Sequence, residues 1–197
     1  MAATSYAPSG SSDSATLVGR LQAREPHAWE RFSSIYGPLV YRWARRAGLQ
    51  DSDAADVMQE VFQAVSQGIL RFRREGSGDT FRGWLWGITR LKVLQVFRRR
   101  KLQPQLAADP TLAGLADLPE SPSNDLSEDL SLVARRALAL LQSDFQPITW
   151  QAFEQTVMHG RPAADVAAEL GIAIGSVYTA KCRVTARLRQ ELGDLLP

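Results

Sequence analysis

Hydrophobic residues recur at three- and four-residue steps along most of the chain, and no sustained apolar–polar alternation of the kind a strand requires is present. Between Leu17 and Leu49 the stretch LVGRLQAR is followed by AWERFSSIYGPLVYRWARRAGL, which lines up Trp29, Phe32, Ile35, Tyr36, Leu39 and Trp43 on one helical face. Gly48 ends that pattern where glycine commonly closes a helix. Asp51, Ser52 and Asp53 form an N-cap cluster for a helix predicted from Ala54 to about Leu70. RREGSGD, from Arg73 to Asp79, reads as a basic loop, and TFRGWLWGITRLKVLQVFRRRK, from Thr80 to Lys101, as the next helix. Periodicity then lapses: Pro104, Pro110, Pro119 and Pro122 with Gly114 mark a flexible acidic linker. It returns near Ser127 and continues in pieces to Leu192. The expected fold is all-α, with two small helical domains. A disordered lead-in covers 1–13, the first domain 14–101, the linker 102–126 and the second domain 127–197.

Charge sharpens this division. The formal net charge of the 197 residues is only +2. The stretch from Arg71 to Lys101, however, holds ten basic residues against Glu75 and Asp79, a net charge of +8. From Leu102 to Leu130 there are six acids and no base, a net charge of −6. Such asymmetry points to a polyanionic partner for the basic block. Cys182 is the single cysteine, so no internal disulfide framework forms. His27 and His159 lie in no metal-ligand spacing, and no metal site or cofactor is expected. The N-terminal stretch lacks the basic start and apolar core of a signal peptide. No apolar run approaches membrane-spanning length. A soluble, cytoplasmic protein is the expectation.

The sharpest local pattern is PAADVAAELGIAIGSVYTAKCRVTARLRQEL, from Pro162 to Leu192. Pro162 suits a first helical position. Ala167 is small where a second helix would cross, Gly171 permits a turn, and Val177 shares a core with Val166 and Leu170. This is helix-turn-helix spacing. The second helix, Ser176 to Gln190, carries Lys181, Arg183, Arg187 and Arg189 and no acid. Ser176, Tyr178 and Thr179 at its start could reach base edges while the bases hold phosphates. The charge alone would also fit a solvated face. Val184 and Leu188 are assigned to packing, and Cys182 to a groove-side or packing role.

A second pattern lies in DVMQEVFQAVSQ. Asp56, Gln59, Glu60, Gln63 and Gln67 form a continuous polar stripe, with Val57, Val61, Ala64 and Val65 on a separate apolar surface. Such a stripe fits a solvent face or a protein contact, and periodicity does not choose between them.

Taken in order, AWERFSSIYGPLVYRWARRAGL, DSDAADVMQEVF, FRGWLWGITR and FRRRK resemble the first conserved domain of bacterial sigma factors, and the terminal helix-turn-helix resembles their last. With two domains and a linker, the chain is similar to the extracytoplasmic-function (ECF) group of the sigma-70 family. The resemblance implies a promoter-specificity subunit that binds RNA polymerase core, with no catalytic residue of its own. It implies that Asp56, Gln59, Glu60 and Gln63 grip the clamp of the largest polymerase subunit. It implies that Arg73, Arg74 and Ser77 of the loop, with Trp86, Arg90, Phe97 and Arg98 of the basic aromatic helix, hold opened minus-ten DNA. Ser176, Tyr178, Thr179, Lys181, Arg183 and Arg187 would bind duplex at minus-thirty-five. An anti-sigma factor is a further candidate partner; a membrane is not.

Single-strand binding explains a helix at once apolar, aromatic and basic, because unstacked bases need ring faces and their phosphates need cations. Phe81, Trp84, Leu85 and Ile88 form a stripe assigned to the core, which leaves the face of Trp86, Arg90, Val93 and Phe97 for DNA. The sequence departs from the family's frequent Asn and Asp at Leu91 and Gln95, and from a frequent arginine near Ala180. Two other readings stay open: a free-standing helix-turn-helix regulator, and a degenerate sigma-like interaction module.

Overall fold

The computed structural model describes residues 16–73, 80–101 and 126–193, and its regular elements are all helical. The predicted lead-in, nearly all of the predicted linker, and Arg74 and Ser77 of the predicted loop lie outside the described residues.

Thr16 opens α1 (Leu17–Gln22), its hydroxyl accepting from the Gly19 amide at 3.2 Å. α2 (Ala28–Arg46) buries Phe32, Ile35, Tyr36, Leu39, Val40 and Trp43, the face its periodicity predicts. Trp29 departs from that expectation: it sits at the exposed edge and meets Phe32 edge-on, with ring centroids 5.2 Å apart. α3 (Asp51–Gly68) begins three residues earlier than the cap cluster suggests. Gln50 is the N-cap, without a side-chain hydrogen bond, and Asp51 and Asp53 occupy the first turn. There they face the positive end of the helix dipole. A short 3₁₀ turn, Ile69–Arg71, follows.

α4 (Phe81–Lys101) starts at Thr80, whose hydroxyl accepts from the Gly83 amide at 3.0 Å. It packs along α3 and against α2. At the end of α3, Gly68 lets the Trp84 indole come close: a Cβ there would stand 3.1 Å from the ring. Phe81 lies among Phe32, Tyr36, Phe72 and Trp84, with centroid separations of 5.3–6.0 Å. Aromatic pairs at such distances add about 0.5–1.5 kcal/mol each beyond area burial.

α5 (Leu126–Leu141) is apolar on two sides. Val133 and Ala137 join the core built by α1–α4. Leu138 packs with Trp150, Phe153 and Val184 of the following helices. α6 (Pro147–Phe153) has Pro147 in its first turn, where a missing amide costs nothing. It runs into a wider π-helical turn, Glu154–Met158. α7 (Ala163–Leu170) starts one residue after Pro162, which is its N-cap. Gly171, at φ 64°, turns the chain into α8 (Ile174–Leu192), which begins two residues before the sequence expectation. Ala152, Val166, Ala167, Val177 and Ala180 make the small core where these helices meet.

Candidate nucleic-acid and protein-binding surfaces

α4 is buried over most of its circumference. Phe81, Leu85, Trp86, Val93 and Phe97 are buried, and Trp84 and Ile88 are half-buried against the same core. The expectation that Trp86 and Phe97 offer open ring faces is therefore corrected: they are 6% and 1% exposed. Trp86 stands edge-on to Trp43, with centroids 5.2 Å apart. The Arg82 guanidinium lies 5.7 Å from the Trp43 ring centroid. The physical reason is that α4 is enclosed by more than one neighbour, so both of its apolar stripes find cores. What faces solvent is a narrow row at i, i+4, i+8 and i+11, namely Gly87, Leu91, Gln95 and Arg98, with Arg99 beside it. Leu91 is 60% exposed in that row. Arg90 is half-buried. Arg73 is exposed, and its guanidinium donates to the carbonyls of Leu70 and Phe72 at 2.9 Å, holding the 3₁₀ turn.

On α3, Val57, Val61 and Val65 are buried and Ala64 half-buried, while Asp56, Gln59, Gln63 and Gln67 are exposed. Glu60, the fifth member of the stripe, is half-buried and turned towards α4, where it pairs with Lys92 at 3.2 Å and Arg99 at 3.6 Å. The amide-rich row of α3 and the basic end of α4 therefore adjoin, with Glu60 between them. A second link, between Arg100 and Asp53, ties the same two helices.

In α8, Ser176, Tyr178, Thr179, Lys181 and Arg183 are all exposed. The Thr179 hydroxyl donates to the Gly175 carbonyl at 2.9 Å. A cavity of about 320 Å³ lies beside this head, lined by Ile148, Thr149, Ala152 and Ile172 with Ser176, Thr179, Ala180 and Arg183. Ala180 is buried, so at that position α8 contributes packing instead of a cation. Arg187 is set apart from the others: half-buried, it pairs with Asp144 at 3.5 Å and with Glu191 at 3.3 Å. The structure thus groups five of the six α8 candidates and turns the sixth inwards.

Two groups were missed by sequence reasoning. Asp129 is fully buried and accepts from Trp43 Nε1 at 2.8 Å and Arg82 at 2.6 Å. Glu191, 2% exposed, accepts from Arg31 at 2.7 Å. Their partners lie 86 and 160 residues away in the chain for Trp43 and Arg31, so no local pattern announces them. Glu169, near the turn, is held below the usual carboxylate range by its hydrogen bond to Arg161 and then by that residue's charge. Among the described residues no cluster of His, Cys, Asp or Glu could hold a metal ion. No helix among them is long and apolar enough to cross a membrane.

Residues 33–103 match the family model for sigma-70 region 2. The chain is 27% identical over 182 residues to the ECF RNA polymerase sigma factor SigM of Mycobacterium tuberculosis, covering 92% of this chain and 85% of the relative. It is 28% identical over 178 residues to ECF sigma factor SigE of Mycolicibacterium smegmatis, covering 89% and 63% of the two chains. With ECF sigma factor BldN of Streptomyces coelicolor the identity is 26% over 190 residues, covering 95% and 70%.

Proposed function

We propose that the chain is a sigma factor of the extracytoplasmic-function group of the sigma-70 family that directs promoter-specific transcription, a reading its region 2 match and its similarity to ECF sigma factors support, and that three of its surfaces divide the work. The family is not one of enzymes; its partners are RNA polymerase core and promoter DNA. In this reading 14–101 acts as a region 2-like module and 127–197 as a region 4-like helix-turn-helix module.

The exposed row of Asp56, Gln59 and Gln63 on α3 takes the polymerase clamp, with Glu60 orienting its edge through Lys92 and Arg99. The solvent row of α4, from Leu91 to Arg98, lies along the opened minus-ten strand, with Arg73 contributing a further cation. The head of α8, with Ser176, Tyr178, Thr179, Lys181 and Arg183, enters the major groove at minus-thirty-five. Arg187 contributes there only once released from Asp144 and Glu191. Phe97 serves this surface as packing beneath it. Trp86 likewise packs beneath it, and Arg90 would act at its edge.

The observation that carries the reading is the adjacency of two unlike exposed rows on α3 and α4, one rich in amides and the other ending in bases. A polymerase contact beside a strand-holding face is what initiation needs from one small module. Run-off transcription with purified polymerase core on a promoter library tests it. Defined start sites that vanish when this chain is omitted support the proposal. Duplex binding without core would favour a free-standing regulator, and core binding without initiation an interaction module. The second alternative has a specific motive in Leu91, an exposed aliphatic where the family often carries Asn.

A further inference from the structure

The open row of α4 holds two residues that packing does not call for. Gly87 lies in the helix interior, where glycine weakens a helix relative to alanine. Nothing in the fold requires it, since a Cβ at Gly87 would meet no atom within 4 Å. Gly68 and Gly37 differ in this respect: a Cβ there would stand 3.1 Å from Trp84 and 3.5 Å from Met58. Leu91, one turn after Gly87, is 60% exposed, the largest value for any large hydrophobic side chain among the described residues. Helical side chains lean towards the N-terminus. Leu91 therefore leans over Gly87, which has no side chain to cover it.

Most cations beside this row are already engaged. Lys92 and Arg99 pair with Glu60 at 3.2 and 3.6 Å, and Arg100 pairs with Asp53. Arg98 is exposed and ends the row with a charge. Read from its start, the row offers empty space, an aliphatic contact, the Gln95 amide and a terminal cation. The net charge of +8 between Arg71 and Lys101 draws a polyanion to this helix. The row itself, however, is fitted to bases more than to phosphates.

Its chemistry selects among bases. Leucine neither donates nor accepts, and the apolar group that a base can offer it is the C5-methyl of thymine. Glutamine matches adenine, accepting from N6 and donating to N7. Leu91 and Gln95 stand about 6 Å apart along the helix axis. Stacked neighbours on a strand are only ~3.4 Å apart, so adjoining bases reach both side chains only when unstacked.

We propose that Gly87, Leu91 and Gln95 form a base-reading slot for an opened strand, in which Leu91 takes a thymine methyl and Gln95 the adjoining adenine. Gly87 keeps the slot clear for the thymine ring. The inference rests on the functional reading above, which lays this row on the minus-ten strand without saying which bases it reads. Where the family's frequent Asn would seek a hydrogen bond, Leu91 asks for a methyl group.

The full chain bound to purified polymerase core tests this, with promoter bubbles whose non-template strand is unpaired and randomised over the minus-ten segment. Retained strands should be enriched in a thymine beside an adenine. Replacing that thymine by uracil removes one methyl group and should weaken binding about fourfold, the value of one buried methyl. Leu91→Ala should bind the thymine and uracil bubbles equally. Gln95→Ala should lose the adenine preference and keep the thymine–uracil difference. Gly87→Ala separates reading from packing by its sign: it should melt about 2–4 °C higher than the parent. It should nevertheless bind the selected bubble about fivefold more weakly, because the added methyl crowds the slot. Equal binding of thymine and uracil by the parent overturns the slot, as does a difference that survives in Leu91→Ala. A Gly87→Ala protein that binds as tightly as the parent overturns it too. Retention of bubbles with no thymine preference sinks the slot alone, whereas retention of no bubble at all sinks the functional reading with it.

Discussion

α4 and α8 are both long, basic helices, yet they use their residues in opposite ways. α4 spends its aromatic residues on packing: Phe81, Trp86 and Phe97 are buried, and its solvent face is a narrow row with Leu91 near the middle. α8 anchors itself on Val177, Ala180 and Val184 and leaves Tyr178, Lys181 and Arg183 outside. The aromatic content of a helix is therefore a poor guide to its contact face when several neighbours enclose it. The small residues of α8's anchoring side are the better sign of a helix that displays its polar side chains.

The widest separation between the two helices should come from removing one aromatic from each. Trp86→Ala is expected to lower stability by about 3–5 kcal/mol, as large core truncations do. A melting curve should record this as a fall of roughly 6–20 °C. Tyr178→Ala should leave the melting curve within about 0.5 kcal/mol of the parent, as surface changes do. It should instead weaken binding to minus-thirty-five duplex. A stable Trp86→Ala protein would break the comparison.

The next contrast lies within α8. Lys181→Ala and Arg183→Ala should each lower the slope of binding against salt by about 1, since each lost phosphate contact releases one fewer counterion. Arg187→Ala should move that slope less if its charge stays engaged by Asp144 and Glu191. Equal slopes for all three would place Arg187 on DNA with the others.

On the first module, Asp56→Ala with Gln63→Ala should reduce polymerase-core retention in a pull-down and leave thermal stability within about 0.5 kcal/mol. Glu60→Ala should show a small stability loss as well, because Lys92 and Arg99 lose a shared partner. Unchanged retention in the double variant would return the α3 row to the solvent.

The smallest effect concerns Glu169, whose carboxyl is held low by Arg161. A depressed folded-state value contributes stability that is complete above the ordinary carboxylate range and is lost as pH falls through the lowered value. Glu169→Gln should therefore melt slightly earlier than the parent at neutral pH and match it in acid. A pH series of melting curves reads the difference, which exposure keeps small.

Much of α8 was legible because its cues are local. Gly171 adopts the left-handed turn its position suggests, and Ala167 and Val177 meet where their spacing requires. The buried face of α2 follows from periodicity apart from Trp29. α4 was harder: two apolar stripes on one helix are equally periodic, and only the neighbouring helices decide that both are covered. The glycine at Gly87 and the i, i+4 row through Leu91 and Gln95 were the available sign of the open side. Asp129 and Glu191 were not legible at all, since a carboxylate in a polar sequence context carries no mark of the distant arginine that will bury it.

The five-residue turn Glu154–Met158 carries a consequence for how such a chain tolerates changes in length. A π turn holds one residue more than the regular helix around it. Deleting a single residue there would shorten the path by about 1.5 Å and swing everything downstream by about 100°. The entire α7–α8 unit would then face another direction while its own packing stayed sound. In a lineage of related chains, this turn should therefore accept substitutions readily at exposed Val157 and Met158 but resist insertions and deletions. Its conserved quantity would be its count of residues, held by the aim of a helix that lies beyond it.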